Sequence, residues 1–580
     1  MSKFYTDEKN ALIIIALLKA NGIRKVIASP GTTNMALIGS MQHDSYFQVY
    51  SSVDERSAAY LACGLAHESG EPVVISCTGA TASRNYLPGL TEAYYRKLPI
   101  LAITSTQAIS KVGHHVAQVI DRSSKPKDTT RHSVTLPIVK DDDDFWECEV
   151  KVNQAILELK RDGGGPVHIN LPTRYSRSYE TKTLPTCRVM DRFTAIDKLP
   201  ELKGRVAVFI GAHRPFTVEE TEALDQFCGT NDAVVFCDHT SSFKGKYRVL
   251  YSLAASQEKM DLSADKPDVT IHIGEVTGDY ASIAMVGKEV WRVSEDGEIR
   301  DTFGKLRYVF EMDEKTFFKR YTDQSKAPSD QYLKQCQARL DGIRRELPET
   351  PFSNIWVAAR TAHKIPGGSV IHFGILNSLR SWNFFELPAS VTSMANVGGF
   401  GIDGGLSSLL GASLANSEKM YFGIIGDLVF FYDMNALGNR HVGKNLRLMV
   451  INNGKGTEFR QYNHVAAHFG EQADEFISAS GHYGNKSPTL IKHYAQDLGF
   501  KYLCASSKEE FDSVYGEFLA KDAEGGKSVV FEVFTDSEEE SQALEMVRNI
   551  KKDQKMAVKV AARRILGDKS VKAIKKALGK

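Results

Sequence analysis

The sequence predicts an α/β protein of three units, each a parallel sheet flanked by helices. Short apolar runs alternate with longer amphipathic stretches along the chain, which is the pattern of repeated βαβ units. At roughly 100–200 residues per domain, a length of 580 residues suggests three or four domains. Polar stretches at 179–199 and 326–351 are typical of linkers. We therefore expect units at 1–185, 186–345 and 346–545, followed by a basic tail at 546–580.

Apolar runs that are bounded by polar residues mark the expected strands of each unit. They lie at 25–28, 73–77, 100–104 and 167–171 in the first unit, at 205–211, 233–237 and 269–274 in the second, and at 420–426, 446–452 and 528–534 in the third. Such continuous runs are typical of parallel strands that are covered on both faces. The acidic run 141–144 is expected to be a solvated loop.

Composition excludes several classes of protein. A formal net charge of +1 gives no field that would demand nucleic acid. No apolar stretch approaches the roughly 20 residues of a membrane span, and the short N-terminal apolar stretch is typical of an amphipathic helix. The eight cysteines include no C-x-x-C pair, which favours a reducing compartment. We expect a cytoplasmic protein without a transmembrane segment.

The third unit contains a candidate site for a metal ion and a diphosphate. One apolar run ends at Gly426-Asp427, and the next ends at Asn452-Asn453. In a right-handed βαβ crossover both strand ends reach the same carboxyl edge, where ligands bind in open parallel sheets. A carboxylate, an amide oxygen and a backbone carbonyl suit Mg²⁺, and free N–H groups from Leu428 onward suit a diphosphate. Alternatively, Asp427 only caps a helix and the asparagines only form a turn.

The first unit carries a second candidate site. An expected strand ends at Val53-Asp54-Glu55 before an alanine-rich helix, so Glu55 lies at a helix N-terminus. A carboxylate is favoured there in any case, which is the structural alternative. The segment Thr78-Gly79-Ala80-Thr81 forms the next strand-to-helix turn.

The third-unit segment resembles the Gly-Asp-Gly…Asn-Asn signature of thiamine diphosphate enzymes, with Leu428 in place of the second glycine. This resemblance implies that Asp427, Asn453 and the backbone of Lys455 bind Mg²⁺. It also implies that Glu55 hydrogen-bonds the pyrimidine ring of the cofactor. The remaining residues that it places at the cofactor are Thr78, Gly79, Ile402, Gly426, Leu428, Thr457 and Phe459.

Within that superfamily the chain resembles the menaquinone-pathway synthase branch. The segments VDERSAA, CTGATASRNYLP, GIDG at 401–404 and GDLVFFYDMNAL match this branch. The resemblance implies pyrimidine-binding, middle and diphosphate-binding domains in that order. It also implies a homodimer or homotetramer, in which the first domain of one subunit and the third domain of another form the site. Ile402 would support the bent conformation of the cofactor.

The substrate-binding positions match that branch less well. Thr32, Thr33 and Asn34 replace its Ser-Arg-Ser turn, Thr277-Gly278-Asp279 replaces a Lys-Arg pair, and Arg380 is present only with altered spacing. Because arginines hold carboxylates bidentately, these losses argue against isochorismate as the acceptor. Gln118 lies in a segment that resembles the substrate-facing loop of the branch. His114 and His115 precede it, and they are either proton-relay candidates or ordinary surface histidines.

These features predict a decarboxylation of a 2-oxo acid that depends on thiamine diphosphate and Mg²⁺, with transfer of the acyl carbanion to a small-molecule acceptor. A simple non-oxidative decarboxylase is the alternative within the enzyme class. A non-catalytic scaffold that retains the fold is the alternative outside it. The basic tail either contacts an anionic surface or a partner, or is a solvated helix.

Overall fold

A computed structural model describes residues 4–521, 526–551 and 553. The prediction of parallel sheets flanked by helices is confirmed. The described chain divides into two compact units. The first comprises Met1–Asp197 with Gly297–Glu311, and the second comprises Lys198–Asp296 with the described residues from Met312 onward. The expected basic tail lies almost entirely outside the described residues.

The first unit contains a six-stranded parallel sheet. Its strands are β1 (Lys25–Ala28), β2 (Gln48–Ser51), β3 (Val73–Thr78), β4 (Ile100–Thr106), β5 (His132–Thr135) and β6 (Val167–Pro172), in the spatial order β2-β1-β3-β4-β6-β5. The helices of this unit are α1 (Lys9–Ala20), α2 (Met35–Met41), α3 (Glu55–Ser69), α4 (Ala80–Asn85), α5 (Leu87–Tyr95) and α6 (Asp142–Glu158). Strands β7 (Asp191–Thr194) and β13 (Leu306–Glu311) form a parallel pair in the same unit.

The acidic run of the first unit is not a loop, which corrects the expectation from the sequence. Asp141 is the N-cap of α6, and its carboxyl accepts hydrogen bonds from the N–H groups of Asp143 and Asp144 at 3.1 and 3.0 Å. The following three aspartates occupy the first turn of the helix. Negative charge is favourable there because the helix dipole is positive at its N-terminus.

The second unit contains the remaining strands in two sheets. The first comprises β8 (Val206–Ile210), β9 (Val234–Cys237), β10 (Arg248–Leu250), β11 (Val269–Ile273) and β12 (Glu289–Ser294), in the order β10-β9-β8-β11-β12. The other comprises β14 (Val370–Phe373), β15 (Thr392–Ala395), β16 (Tyr421–Gly426), β17 (Leu446–Asn452), β18 (Lys501–Ala505) and β19 (Val529–Phe534), in the order β15-β14-β16-β17-β19-β18. Neighbouring strands in each of these two sheets run parallel to each other.

Helices cover these sheets and connect their strands. They are α7 (Val218–Asn231), α8 (Ser252–Ala255), α9 (Glu314–Arg320), α10 (Gln331–Arg344), α11 (Asn354–Thr361), α12 (Asn377–Trp382), α13 (Gly405–Leu414), α14 (Asp427–Asp433), α15 (Ala473–Phe476), α16 (Leu490–Asp497), α17 (Lys508–Leu519) and α18 (Ser537–Arg548). No helix in the described part of the chain is long and apolar enough to cross a membrane.

The strands β16 and β17 are buried on both faces, as their apolar sequences predict. Phe422 and Ile424 point into one apolar cluster, whereas Tyr421 and Ile425 point into another on the opposite face. Successive side chains of a strand alternate between faces, so a continuous apolar run fits a sheet with helices on both sides. Apart from Arg447 near the start of β17, the charged and amide side chains of these two strands therefore lie where the strands end.

Helix α18 connects two parts of the second unit through hydrogen bonds at both of its ends. Near its start, the Glu540 carboxyl accepts from the N–H of Asn354, at the beginning of α11, at 2.9 Å. Near its end, the carbonyl of Val547 accepts from Gln257 Nε2 at 2.7 Å, and the carbonyl of Arg548 accepts from the N–H of Glu258 at 2.9 Å. Residues 257–258 follow α8, which belongs to the region of the β8–β12 sheet.

Candidate active site

The carboxyl ends of β16 and β17 bring Asp427 and Asn453 to one edge of the sheet. The two strands pair in parallel along their length, with Gly426 opposite Ile451. Helix α14 begins at Asp427, and β17 ends at Asn452, immediately before Asn453. The N–H of Gly454 hydrogen-bonds the Asp427 carboxyl, which links the two strand ends directly.

The Asp427 carboxyl is buried and has no cationic partner within ion-pair distance among the described residues. Burial raises its pKa to about 7. The N–H groups of Asp427, Leu428 and Gly454 oppose this shift because they hydrogen-bond the charged form, whereas the nearby Glu532 carboxyl adds to it. A carboxylate in this environment would be stabilised by a bound cation.

The adjacent asparagines Asn452 and Asn453 have different surroundings. Asn452 Nδ2 donates to Glu532 Oε1 at 2.6 Å, and Asn452 Oδ1 accepts from the N–H of Gly454 at 3.2 Å. In contrast, Asn453 Oδ1 is buried and has no hydrogen-bond partner. Buried polar atoms are usually satisfied, so an unpaired amide oxygen at the same sheet edge as a buried carboxyl is suited to bind a cation.

The turn after Asn453 supplies further oxygen atoms. Gly454 has a φ of 74°, which glycine adopts without strain, and the Lys455 carbonyl accepts from the N–H of Thr457 at 2.9 Å. The Lys455 side chain is paired with Asp474 at 2.6 Å. Because an ammonium group has no lone pair, only the backbone carbonyl of Lys455 could bind a metal. Thr457 Oγ1 is buried without a partner.

The donor set of this edge fits a hard divalent cation. It offers the Asp427 carboxylate, the Asn453 amide oxygen and the Lys455 carbonyl, and such cations prefer oxygen ligands. The described residues contain no group of three or more His, Cys, Asp or Glu side chains suited to a metal. A cation here would therefore need further oxygens from a bound molecule, as a diphosphate would provide.

The other predicted cofactor residues of the third unit lie near this edge or against the apolar clusters on the two faces of the sheet. Gly426 is the N-cap of α14, and a side chain there would meet no atom within 4 Å. Leu428 is half-buried in the first turn of α14. The Phe459 ring meets the His464 ring edge-on at 5.4 Å. Ile402 is half-buried and packs against the apolar clusters on both faces of the sheet.

In the first unit, Glu55 is the first residue of α3. Asp54 is the N-cap, and its carboxyl accepts from the N–H of Ser57 at 3.1 Å, so the cap does not need Glu55. Glu55 is half-buried, and its Oε2 accepts from Asn85 Nδ2 at 3.3 Å. The neutral Asn85 side chain therefore orients the Glu55 carboxyl without bringing a cation to it.

The turn at Thr78 and Gly79 is closely packed. Thr78 ends β3, and Gly79 is the N-cap of α4. A Cβ on Gly31 would lie 1.9 Å from Thr78 Cγ2, so only glycine fits opposite this turn. A Cβ on Gly79 would lie 3.5 Å from the carbonyl oxygen of Gln118, which places the loop of Gln118 over the turn.

The loop candidates His114, His115 and Gln118 have exposed side chains. His115 and Gln118 adopt positive φ angles of 52° and 63°. The structure therefore leaves the three side chains accessible to a ligand, but it shows no hydrogen bond that orients them for catalysis.

The three substrate candidates after β1 differ in accessibility. Thr33 Oγ1 donates to the Ser105 carbonyl at 2.9 Å, and Asn34 Nδ2 donates to the Ser29 carbonyl at 3.0 Å. Both side chains are buried, whereas Thr32 is exposed. Thr33 and Asn34 thus stabilise the loop, and only Thr32 presents its hydroxyl to solvent.

Residues 9–124 match the family described as "Thiamine pyrophosphate enzyme, N-terminal TPP binding domain". The resemblance to thiamine diphosphate-dependent enzymes is confirmed. The chain is also similar to 2-succinyl-5-enolpyruvyl-6-hydroxy-3-cyclohexene-1-carboxylate synthases. That of Bacteroides fragilis is 29% identical over 93% of this chain and 98% of the relative, and that of Phocaeicola vulgatus gives the same values. That of Flavobacterium johnsoniae is 28% identical over 77% of this chain and 83% of the relative.

The predicted substrate residue Arg380 and a second arginine of this region, Arg460, are already paired with carboxylates. Arg380 forms a bidentate contact with Glu458, at 3.0 Å to Oε1 and 2.6 Å to Oε2. Arg460 lies 3.1 Å from Asp474 and also contacts Glu538. A cavity of about 220 Å³ in the second unit is lined by Arg380 together with Arg548, which sequence reasoning did not select.

Sequence reasoning also missed the carboxyl that organises the Asn452 side chain. Glu532 lies in the middle of β19 and is fully buried, where it accepts hydrogen bonds from Asn452 and from the Tyr502 hydroxyl, the latter at 2.7 Å. A single acidic residue inside the apolar run VVFEVF was a signal that could have identified it, because buried carboxyls require partners.

Proposed function

We propose that this enzyme decarboxylates a 2-oxo acid with thiamine diphosphate and Mg²⁺ and transfers the acyl carbanion equivalent to an acceptor. One observation carries the proposal: the unpaired Asn453 Oδ1 lies at the same strand edge as the buried, cation-free Asp427 carboxyl. Leaving two such polar groups buried without partners raises the free energy of the folded protein unless a ligand binds them. The metal completes this edge only when a diphosphate is also present.

The residues of the third sheet hold the ligands in this proposal. Asp427, Asn453 and the Lys455 carbonyl would coordinate Mg²⁺, and Thr457 Oγ1, which is buried without a partner, would be available to hydrogen-bond the diphosphate. Ile402 and Phe459 supply apolar contacts. When bound, the cofactor provides a positively charged ring that accepts the electron pair released with CO₂.

Glu55 has the role of a proton carrier. Its carboxyl would hold the pyrimidine ring of the cofactor by a hydrogen bond and would accept or release a proton there, which requires a carboxyl that is not paired with a cation. Asn85 meets this requirement because it orients the Glu55 carboxyl through a neutral hydrogen bond. Asp54 caps the helix and takes no part in the reaction.

We further infer that the acceptor differs from the one used by the synthases that the chain resembles. The only one of the substrate candidates that is an arginine, Arg380, is occupied by Glu458. A second carboxylate would have to displace Glu458 to bind it. The proposal also includes a cytoplasmic homodimer or homotetramer, as the resemblance implies.

Calorimetric titration of the cofactor-free protein with thiamine diphosphate, with and without Mg²⁺, tests the proposal. We expect binding that requires Mg²⁺ and is lost in Asp427→Ala, followed by CO₂ release from a 2-oxo acid that increases with the correct acceptor. Aldehyde formation without any acceptor would instead establish a simple decarboxylase. Absence of binding under every condition would leave a scaffold that retains the fold.

A further inference from the structure

A cluster of basic side chains lies on one face of the sheet in the first unit. His168 in β6 is opposite Ala102 in β4 and Ser133 in β5, and Thr104 is opposite Asn170 two positions further along. Since side chains two positions apart share a face, His168, Thr104 and Asn170 form one polar patch. Arg122 and Lys125, in the loop between β4 and β5, extend over this patch.

The hydrogen bonds of the cluster determine where its protons lie. Lys125 Nζ contacts both His168 Nδ1 and Ser133 Oγ, and an ammonium group can only donate. His168 Nδ1 must therefore accept, so the ring proton is on Nε2 and is donated to Thr104 Oγ1 at 2.7 Å. Arg122 donates to the same hydroxyl at 2.5 Å and also to Asn170 Oδ1.

This arrangement contains two positive charges and no negative charge. Burial, followed by the Arg122 charge, lowers the pKa of Lys125 to about 8, and burial lowers the pKa of Arg122 to about 10. Burial, followed by both neighbouring charges, holds the pKa of His168 well below its usual value, so the ring is neutral. Both cations therefore remain charged at neutral pH beside an uncharged histidine.

No carboxylate in the described part of the chain pairs with either cation within 4 Å. Asp121 is the acidic residue nearest to them in sequence. It is exposed, and its carboxyl accepts from the N–H of Ser123 at 2.8 Å. Three partners of the two cations, Thr104, Asn170 and His168, are neutral and are 1%, 7% and 4% exposed, and the fourth, Ser133, is neutral and exposed. Two like charges beside buried neutral groups are costly unless an anion compensates them.

A cavity of about 80 Å³ adjoins the two cations. Its lining includes three basic side chains, Arg84, Arg122 and Lys125, the hydroxyls of Ser124 and Thr130, and one acidic side chain, the exposed Asp121. At roughly 10–15 Å³ of such volume per water molecule, it has room for a small polyatomic ion. We propose that this cavity binds a small oxyanion, either inorganic phosphate or a carboxylate, between Arg122 and Lys125. The arginine supplies a planar fork and the lysine a point charge.

The position of this site connects it to the turn at Gly79. A Cβ on Gly79 would lie 3.5 Å from Arg122 Cζ and 3.5 Å from the carbonyl oxygen of Gln118. An oxyanion that neutralises Arg122 would therefore fix the loop that lies over this turn. The inference does not rest on the proposed function, because it needs only residues of the first unit and no turnover.

Titration of the full-length protein with inorganic phosphate and, separately, with acetate tests the site, in chloride buffer of constant ionic strength. We expect saturable binding of at least one probe, weakened roughly ten- to hundredfold in Lys125→Met and in Arg122→Met. Lys127→Met, which removes an exposed lysine two positions away, is the matched control and should bind as the parent does. Binding of phosphate alone or of acetate alone identifies the class of ion.

Thermal unfolding separates an anion site from a purely structural cluster. Without oxyanion, Lys125→Met should be at least as stable as the parent, because it removes an uncompensated charge and the Ser133 hydroxyl, 2.9 Å from His168 Nδ1, can donate to that nitrogen instead. Adding the probe should raise the unfolding temperature of the parent but not that of Lys125→Met. The proposal is overturned if neither probe binds, if Lys125→Met and Arg122→Met bind as tightly as the parent, or if Lys125→Met is destabilised in the absence of oxyanion.

Discussion

The adjacent asparagines at the end of β17 allow a sharp test of the candidate metal site. Asn453→Ala should abolish Mg²⁺-dependent binding of thiamine diphosphate and leave the metal-free protein about as stable as before. Asn453 Oδ1 has no partner, so its removal breaks no hydrogen bond. It also relieves the cost of an unsatisfied buried oxygen, which is about 1–3 kcal/mol. We therefore expect the stability of the variant within about 1 kcal/mol of the parent or slightly above it.

Asn452→Ala is the matched control, and the opposite result is expected. Its Nδ2 donates at 2.6 Å to the fully buried Glu532 carboxyl, and its Oδ1 accepts from the N–H of Gly454. A hydrogen bond to a charged group contributes about 1.5–3 kcal/mol, so this variant should lose about 2 kcal/mol of stability. Cofactor binding should weaken only as far as the turn at Gly454 loosens.

Two measurements on both variants decide the matter. Chemical denaturation in the presence of a chelator gives the change in stability without metal, and calorimetric titration with thiamine diphosphate and Mg²⁺ gives the affinity. Loss of a direct metal ligand should cost at least about 100-fold in affinity, since even supporting residues cost 10–100-fold. If Asn453→Ala were as destabilised as Asn452→Ala and still bound the cofactor normally, the assignment of Asn453 to the metal would be wrong.

Three further predictions concern other parts of the chain. Glu55→Gln should reduce CO₂ release by at least about 100-fold with little change in cofactor affinity, whereas Asp54→Ala should cost about 1 kcal/mol of stability and retain turnover; steady-state kinetics and calorimetry distinguish the two. Burial raises the pKa of Glu540 to about 7, above its value of about 4.3 in the unfolded chain. Ionisation of this carboxyl should therefore lower the free energy of unfolding as pH rises from about 4.3 to about 7. Glu540→Gln should remove up to about 3 kcal/mol of that pH-dependent loss, as measured by denaturation curves. Arg380→Met should cost about 2 kcal/mol by leaving Glu458 unpaired, and adding Glu458→Met should restore most of it in a double-mutant cycle.

Most of the buried strands could be predicted closely from the sequence, although β12 and β14 were not among the predicted apolar runs. The apolar run 446–452 coincides with β17, and the run 420–426 differs from β16 by one residue. In contrast, the strand expected to end at Val53-Asp54-Glu55 is β2 (Gln48–Ser51), which ends two residues before Val53. It is an edge strand whose side chains are largely exposed, so no apolar run marks its bounds.

The candidate site was predictable only where its residues follow such runs. Asp427 and Asn453 each come directly after a buried strand, so topology alone indicates that they are neighbours. The pairing of Arg380 with Glu458 could not be predicted, since it joins residues far apart in sequence across an irregular turn. The polar partners of Lys125 also come from strands β5 and β6, and only the folded sheet brings them together.

Helix α18 links the regions of the two sheets of the second unit through hydrogen bonds at both of its ends. The chain leaves the β8–β12 sheet, builds the sheet of the candidate metal site, and returns through α18 to residues 257–258. Detaching either end of this helix would break contacts on which the other region also depends. The two sheets should therefore unfold in a single thermal transition. A chain shortened before Ser537 should show two separate transitions and a lower affinity for any cofactor.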